Sequence, residues 1–336
     1  MWDAVLIEVR TMIDDDGVVA AYILDGKGGG KMLERCTSED LHPEAGTVWL
    51  HLDRSASMAC QQAVEAIGID PVYADALLAA ETHPRAVSAG DCLLVILRGV
   101  NTAPDSDPED MVSLRIWLEE TRVISVRIRK LGSVRDIRDR IENGNGPKSS
   151  GEFLVMVADR LVERMGPVIN GLSEQLDHLE DNVETLSPRQ ARDELRSIRH
   201  QAIMLRRHLA PQRDVLGRLQ MENQSWLKPE YKLELREVAS ATARYVEELD
   251  AVRERAGVVH DELMALAGEA TNRTMYTLTL IATIILPLSF ITGLLGMNVS
   301  GIPLAEGKLG FWWVTGGLFV AGALMIILFR WLKWLR

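Results

Sequence analysis

Cysteine is scarce: Cys36, Cys60 and Cys92 are the only three in 336 residues. They are far apart and odd in number, which excludes a disulfide framework and points to reduced thiols in a cytoplasmic compartment. No CxxC or HxxxH spacing occurs, so a closed structural zinc site is not expected. Gly-x-Ser-x-Gly is missing, and no nucleophile and base stand in a convincing pairing, so the chain is not expected to be an enzyme. The opening residues, Met1-Trp2-Asp3-Ala4-Val5-Leu6, lack a basic and then apolar segment, and no signal peptide is expected. Basic charge is also short, with 37 Lys and Arg against 48 Asp and Glu. Positions 1–270 hold 32 basic and 47 acidic residues, a net of −15. That field repels nucleic acid and attracts cations or basic partners.

Charge of either sign is missing altogether from two stretches, between Arg273 and Glu306 and between Lys308 and Arg330. Each is long enough to cross a bilayer core, which takes roughly 20 apolar residues in helical form. The segment between them, Gly296-Met297-Asn298-Val299-Ser300-Gly301-Ile302-Pro303, is too rich in turn formers to continue a helix. Two membrane-spanning helices are predicted, about 274–295 and 309–329, joined by an extracytoplasmic loop over 296–308. The tail, 330–336, places Arg330, Lys333 and Arg336 among tryptophans and leucines. The positive-inside rule puts this end in the cytoplasm, and two spans then put the large N-terminal part there too.

Residues 1–165 read as a cytoplasmic α/β domain, a mixed sheet covered by helices. Strands are predicted at Val5–Val9, Val18–Leu24, Thr47–Leu52, Cys92–Val100, Ser113–Leu118 and Arg122–Arg127, with helices at Ser57–Ile67, Pro71–Glu81 and Glu152–Met165. Gly26-Lys27-Gly28-Gly29-Gly30-Lys31 lacks the spacing of a phosphate loop, and Met32 stands where Ser or Thr is needed. A flexible hairpin tip is the better reading. Residues 166–228 carry helical spacing: Val168, Leu172, Leu176, Leu179, Val183 and Leu186, then, after Ser187-Pro188, Leu195, Ile198, Ala202, Leu205 and Leu209. These predict an antiparallel helical hairpin, with Ser187 as cap and Pro188 in the first turn. From Pro229 to residue 295 one helix is predicted to run as stalk and first span, with Pro287 inside the span, where a bend costs little.

Steps of seven along that helix give Glu247, Glu254, Asp261, Gly268, Met275, Ala282, Ser289 and Gly296. A companion row holds Ala251, Val258, Ala265, Asn272, Thr279, Leu286 and Gly293. If several copies supercoil, both rows lie on one face, and helical drift lets Leu278 and Thr283 share it. The face is acidic at one end and small or weakly polar within the membrane. It fits either the packing seam of a bundle or the wall of a cation path. A carboxylate stripe at a seam repels itself across subunits unless cations occupy it, which favours the path. His260 beside Asp261 and Glu262 offers nitrogen to a zinc ion, with His208 and the cysteines as further candidates. For each lone His or Cys, a residue without metal remains the commoner case.

Gly296-Met297-Asn298, with Tyr276-Thr277-Leu278-Thr279 and Leu286-Pro287-Leu288-Ser289-Phe290, resembles the CorA-type divalent-cation transporters. Met204–Val215, Thr271–Tyr276, Asn298–Pro303, Trp49–Asp53 and Glu81–Arg85 are similar to its zinc-transport branch, ZntB. The resemblance implies a funnel-shaped homopentamer in a bacterial inner membrane, with both termini cytoplasmic. The first span would line the pore, and Gly296, Met297 and Asn298 would form its outer entrance. Asn298 would supply a ring of amide oxygens there, and Asn272 a second polar ring near the cytoplasmic side. Met275, Leu278, Thr279, Ala282, Thr283, Leu286, Ser289 and Gly293 would line the path between. Glu247, Glu254, His260 and Asp261 are the candidate metal contacts. The resemblance implies zinc uptake coupled to the proton gradient, with magnesium, cobalt or nickel transport as the alternative. No permanently bound cofactor is expected; the partners are further copies of the chain, the bilayer and the transported dications.

Overall fold

A computed structural model describes residues 9–10, 17–33, 35–36, 46–56, 60–61, 64–65, 67–101, 103, 106–183, 185–297 and 309–332. The chain divides into two compact units, Met1–His260 and Asp261–Arg336.

The first unit is built on a seven-stranded sheet. Its strands are β2 (Val18–Leu24), β3 (Gly30–Met32), β5 (Thr47–Asp53), β6 (Arg85–Ala89), β7 (Cys92–Gly99), β8 (Val112–Leu118) and β9 (Arg122–Arg127). A separate ribbon pairs β1 (Val9–Arg10) with β4 (Arg35–Cys36). The sheet order is β3-β2-β5-β9-β8-β7-β6, and every pairing is antiparallel except β5 with β9 at its centre. Both faces are covered, which explains strands that read as nearly continuous apolar runs. Alternation sends Tyr22, Trp49, Val95, Leu114, Ile116 and Val123 to one core, with Phe153, Leu154 and Leu161 of a covering helix. Ala21, Val48, Leu50, Leu94, Trp117 and Ile124 go to the other, against Cys60, Val64, Ala74 and Leu77. Trp49 anchors the first core, its ring 5.7 Å from Tyr22 and 5.0 Å from Phe153.

The predicted strands are present within a residue or two where they fall on described residues; the Val5–Val9 strand lies outside them but for Val9, as does part of the Ser57–Ile67 helix. Helix α1 (Pro71–Leu78) is capped by Asp70, whose side chain accepts from the Val72 N–H at 2.9 Å, and ends before the predicted Glu81. Four elements were not predicted: β3, β4, β6 and helix α2 (Gly132–Glu142). Helix α3 (Ser150–Glu163) starts from Ser149, which accepts from the Glu152 N–H.

The Gly-rich stretch is a hairpin tip between β2 and β3, but not a flexible one. Asp25 accepts from the Lys27 and Gly29 amides at 2.7 and 2.9 Å, and these N–H groups hold its carboxyl below the usual range. The amides a phosphate would need are spent on this turn. The tip is docked as well: Gly146 N–H donates to the Gly28 carbonyl at 2.6 Å. Gly28 has φ +110°, and a Cβ there would come within 2.6 Å of the Gly144 oxygen.

Helices α4 (Gly166–Asn182) and α5 (Pro188–Leu219) form the predicted antiparallel hairpin. Ser187 caps α5 through the Gln190 N–H, with Pro188 in the first turn. Ile169, Leu172, Leu176 and Leu179 are buried on α4, and Ala191, Leu195, Ile198, Ala202, Leu205 and Leu209 on α5. Helix α6 runs from Pro229 to Leu295, 67 residues without interruption even at Pro287. Its part in the first unit buries Val246, Leu249, Val252, Ala256 and Val259. The second unit holds the rest of α6 and α7 (Gly310–Trp331).

Candidate cation pathway

In the first unit the buried stripe of α6 fixes where the acidic row stands. At about 3.6 residues per turn, Glu247, Ala251, Glu254 and Val258 lie roughly half a turn from Leu249 and Ala256. All four are exposed, and Val258 is 68 % exposed. The helix therefore turns its apolar stripe to its own core and leaves the acidic row uncovered. Neighbouring carboxylates on the flanks are already engaged. Asp250 pairs with Arg206 of α5 at 2.6 Å and with Arg253 at 3.3 Å, and Ser173 of α4 donates to Glu248 at 3.3 Å.

The same rule holds within the second unit. Leu280, Ile284, Leu288 and Leu295 of α6 are half-buried, and a Cβ on Gly322 of α7 would lie 3.8 Å from a Leu288 methyl. On α7 the matching stripe is Gly310, Val314, Leu318, Ala321, Gly322, Met325 and Phe329, all buried or half-buried. Met275, Thr279, Ala282, Leu286, Ser289 and Gly293 centre on the opposite side of α6 and are exposed. Asn272 and Leu278 are exposed toward the edges of that face, and Thr283 sits half-buried on its flank.

Thr279 donates its hydroxyl hydrogen to the Met275 carbonyl at 2.8 Å, and Thr283 donates to the Thr279 carbonyl at 2.7 Å. With the hydrogen spent on the helix, each oxygen offers only lone pairs outward. Lone pairs suit the outward-pointing hydrogens of waters around a dication. Gly296 closes the helix, its N–H donating to the Thr292 carbonyl at 2.9 Å, and Met297 is half-exposed beside it. Asn298 and the rest of the 298–308 loop lie outside the described residues, as do Lys333 and Arg336.

Within one chain the candidate metal contacts are not gathered. Among the described residues no group of three or more His, Cys, Asp or Glu is placed to hold an ion. Glu247, Glu254 and Asp261 share one side of α6, while His260, though exposed, points back toward the side of Leu249. His208 is a poor ligand for a dication. It is nearly buried, and burial, then the charges of Arg98 and Arg207, push its pKa down to about 4. Cys60 is buried with its thiol pushed up to about 11, again mainly by burial, and Cys92 is shifted the same way. The Cys36 side chain lies outside the described residues.

Sequence reasoning missed the contacts that hold the α4–α5 hairpin to α6. Arg255 donates to Asp177 and Glu180, and Arg206 forms an ion pair with Asp250. Opposite charges on neighbouring helices were the only available signal, and an acidic chain offers too many partners for each arginine.

Residues 44–331 match the family described as CorA-like Mg2+ transporter protein. The chain is 39% identical over 330 residues to the divalent cation transporter CmaX of Pseudomonas aeruginosa, covering 96% of this chain and 98% of that protein. It is 35% identical over 301 residues to the zinc transport protein ZntB of Pectobacterium carotovorum, covering 89% and 90%. The structure of full-length CmaX superposes with a TM-score of 0.80 at 37% identity, covering 95% of this chain and 99% of that one. The CorA magnesium transporter of Methanocaldococcus jannaschii shares the fold, with a TM-score of 0.79 at 20% identity over 92% of this chain and 97% of that one. Composition, the two spans, the stalk and these matches agree, and the chain belongs to the CorA-like Mg2+ transporter family.

Proposed function

We propose that five copies of this chain stand around a central path lined by α6 and carry divalent cations across a bacterial inner membrane, zinc foremost, together with the proton gradient. The observation that carries this reading is the repeated geometry of α6. In each unit the helix turns its apolar stripe to its own chain and leaves the polar row without a cover. A ring of such helices encloses those rows, and a single chain with two spans cannot. Glu247, Glu254 and Asp261 then concentrate cations at one end. The membrane part offers small side chains, threonine lone pairs and few fixed charges. Asn272 forms the inner polar ring, and Gly296, Met297 and Asn298 the outer entrance. An asparagine amide is neutral, so it holds the waters of a dication without trapping the ion. The basic residue Arg330 in the last turn of α7 supports cytoplasmic termini. No carboxylate occurs between Thr274 and Ala305, so a coupling proton travels with the cation or by another route.

Zinc uptake into liposomes holding the purified protein, with and without an inward proton gradient, tests this reading. Faster zinc entry under the gradient is expected, and Asn298→Ala should reduce it. Magnesium flux without zinc flux would reject the zinc assignment. A second reading, a magnesium, cobalt or nickel channel of the same build, is supported by the 39% match to a protein named only as a divalent cation transporter, against 35% to ZntB.

A further inference from the structure

Two adjoining cavities in the first unit play no part in that pathway. They share Arg140, Glu152 and Met156 in their linings, one lying at the β2–β3 tip and the other between α3 and α6. The cavity at the tip, about 950 Å³, is lined by Lys27, by Arg140 of α2 and by Lys148 of the α2–α3 loop. These three cations come from separate segments, yet among the described residues none of them forms an ion pair. In a chain with 48 acidic and 37 basic residues, three unpaired cations around one cavity are out of place. Asp139 and Glu152 also line it, and three cations less two acids leave a net charge of +1. The backbone here is already engaged. Gly146 N–H donates to the Gly28 carbonyl at 2.6 Å, Asn145 N–H to the Arg140 carbonyl at 2.8 Å, and Gly144 N–H to the Ile141 carbonyl at 3.1 Å. With these amides spent, recognition of a ligand falls to the side chains.

The second cavity, about 470 Å³, is of a size that holds a small molecule. Helices α3 and α6 run alongside each other there, since a Cβ on Gly151 would meet Tyr231 and one on Gly166 would meet Tyr245. Val155 and Met156 of α3, with Val238 and Ala241 of α6, give the cavity its apolar part. Its charged lining is four carboxylates against two arginines, a net of −2, with Glu234 and Glu237 exposed. A carboxylate only accepts, so it takes hydroxyl and amino hydrogens and repels phosphate. Among the described residues no three acids gather to hold an ion, so a bare dication does not fit the lining. The two cavities therefore call for different chemistry in one ligand. One end is anionic, and the other is apolar and carries hydrogen-bond donors.

We propose that the two cavities bind one nucleoside di- or triphosphate, with its phosphates at Lys27, Arg140 and Lys148 and its nucleoside against Met156, Val238 and Ala241. Charge sets the direction, because the −2 end rejects the phosphates that the +1 end accepts. The site does not depend on the cation path, and its test needs no transport. Isothermal titration calorimetry of the full-length protein in detergent, with EDTA to remove dications, compares ADP, pyrophosphate and adenosine. ADP should bind at least about tenfold tighter than either fragment, since it alone reaches both cavities. Lys27→Gln combined with Lys148→Gln should weaken ADP and pyrophosphate about tenfold and leave adenosine unchanged. Ala241→Leu fills only the second cavity, so it should weaken ADP and adenosine and leave pyrophosphate unchanged. Both lysines are exposed and Ala241 is half-buried, so gel filtration should show each variant folded. ADP binding no tighter than pyrophosphate would mean an adventitious ion only and would overturn the proposal. Undiminished ADP binding in the double lysine variant would overturn it as well.

Discussion

Arg255 of α6 donates from one nitrogen, Nη2, to two carboxylates of α4, Asp177 at 2.6 Å and Glu180 at 2.5 Å. The two acids stand three apart on one helix face, so the arginine both bridges the helices and relieves their mutual repulsion. Both acids together hold the guanidinium more firmly protonated than usual, Glu180 first. The arginine is 43% exposed, so solvent screens much of this attraction. We expect Arg255→Ala to cost no more than about 1 kcal/mol. The loss should shrink in high salt, as thermal melts at two ionic strengths would reveal.

His51 predicts an acid-sensitive fold. It is fully buried between Trp49 and Ser125, with Nδ1 2.8 Å from the Ser125 hydroxyl, and burial pushes its pKa down to about 3. The unfolded chain takes up the proton near pH 6.5, while the folded chain resists it. Stability from this residue is complete above pH 6.5 and is lost as pH falls from there toward 3. The slope approaches about 1.4 kcal/mol per pH unit for one such group. His208, shifted down to about 4, acts in the same direction. Denaturant titrations at several pH values should show this slope, and His51→Leu should flatten it. An unchanged slope in the variant would assign the acid sensitivity elsewhere.

Two glycines of the second unit should respond differently to the same enlargement. A Cβ on Gly293 meets nothing within 4 Å, whereas one on Gly322 lies 3.8 Å from Leu288. Gly293→Leu should leave the chain folded and cut cation flux by more than about tenfold through narrowing the path. Gly322→Leu should instead reduce the yield of folded protein by forcing α6 and α7 apart. Flux assays and gel filtration of both variants separate the two effects. Normal flux through Gly293→Leu would place that residue outside the path.

Gly46 is a position for glycine alone. Its φ is +97°, and an added Cβ would lie 2.4 Å from the Leu24 carbonyl oxygen. We expect Gly46→Ala to destabilise the first unit by at least about 2 kcal/mol, combining backbone strain with a backbone clash. Gly26, with φ +71° and nothing within 4 Å of an added Cβ, should cost only about 1 kcal/mol. Chemical denaturation of the two variants provides the comparison.

The helical half of the fold was legible because its signals are local. Ser187-Pro188 marks a helix start by chemistry alone, and Leu172, Leu176 and Leu179 mark a buried face by spacing. The sheet was legible only as separate strands. Nothing in Thr47–Asp53 says that it lies parallel to Arg122–Arg127, because that pairing depends on everything between them. Helix α2 escaped because Val134, Ile137 and Ile141 are diluted by six charged residues, and β6 because Arg85–Ala89 is short and half-polar. For the pathway, the heptad rows were readable but their uncovered state was not, since exposure depends on which stripe the rest of the chain claims. The buried arginine pair was invisible. Arg98 and Arg115 are ordinary strand residues until burial removes their water.

The lone parallel junction has a consequence for how the chain is made. Strand β5 leaves the ribosome well before its partner β9, so the N-terminal hairpin must wait, one edge open, while the β7–β9 meander is still being synthesised. We expect nascent chains halted before Arg122 to remain protease-sensitive at β2 and β5, and those halted beyond α3 to be resistant. Early resistance would mean that the waiting strands are sheltered by something other than their final neighbour.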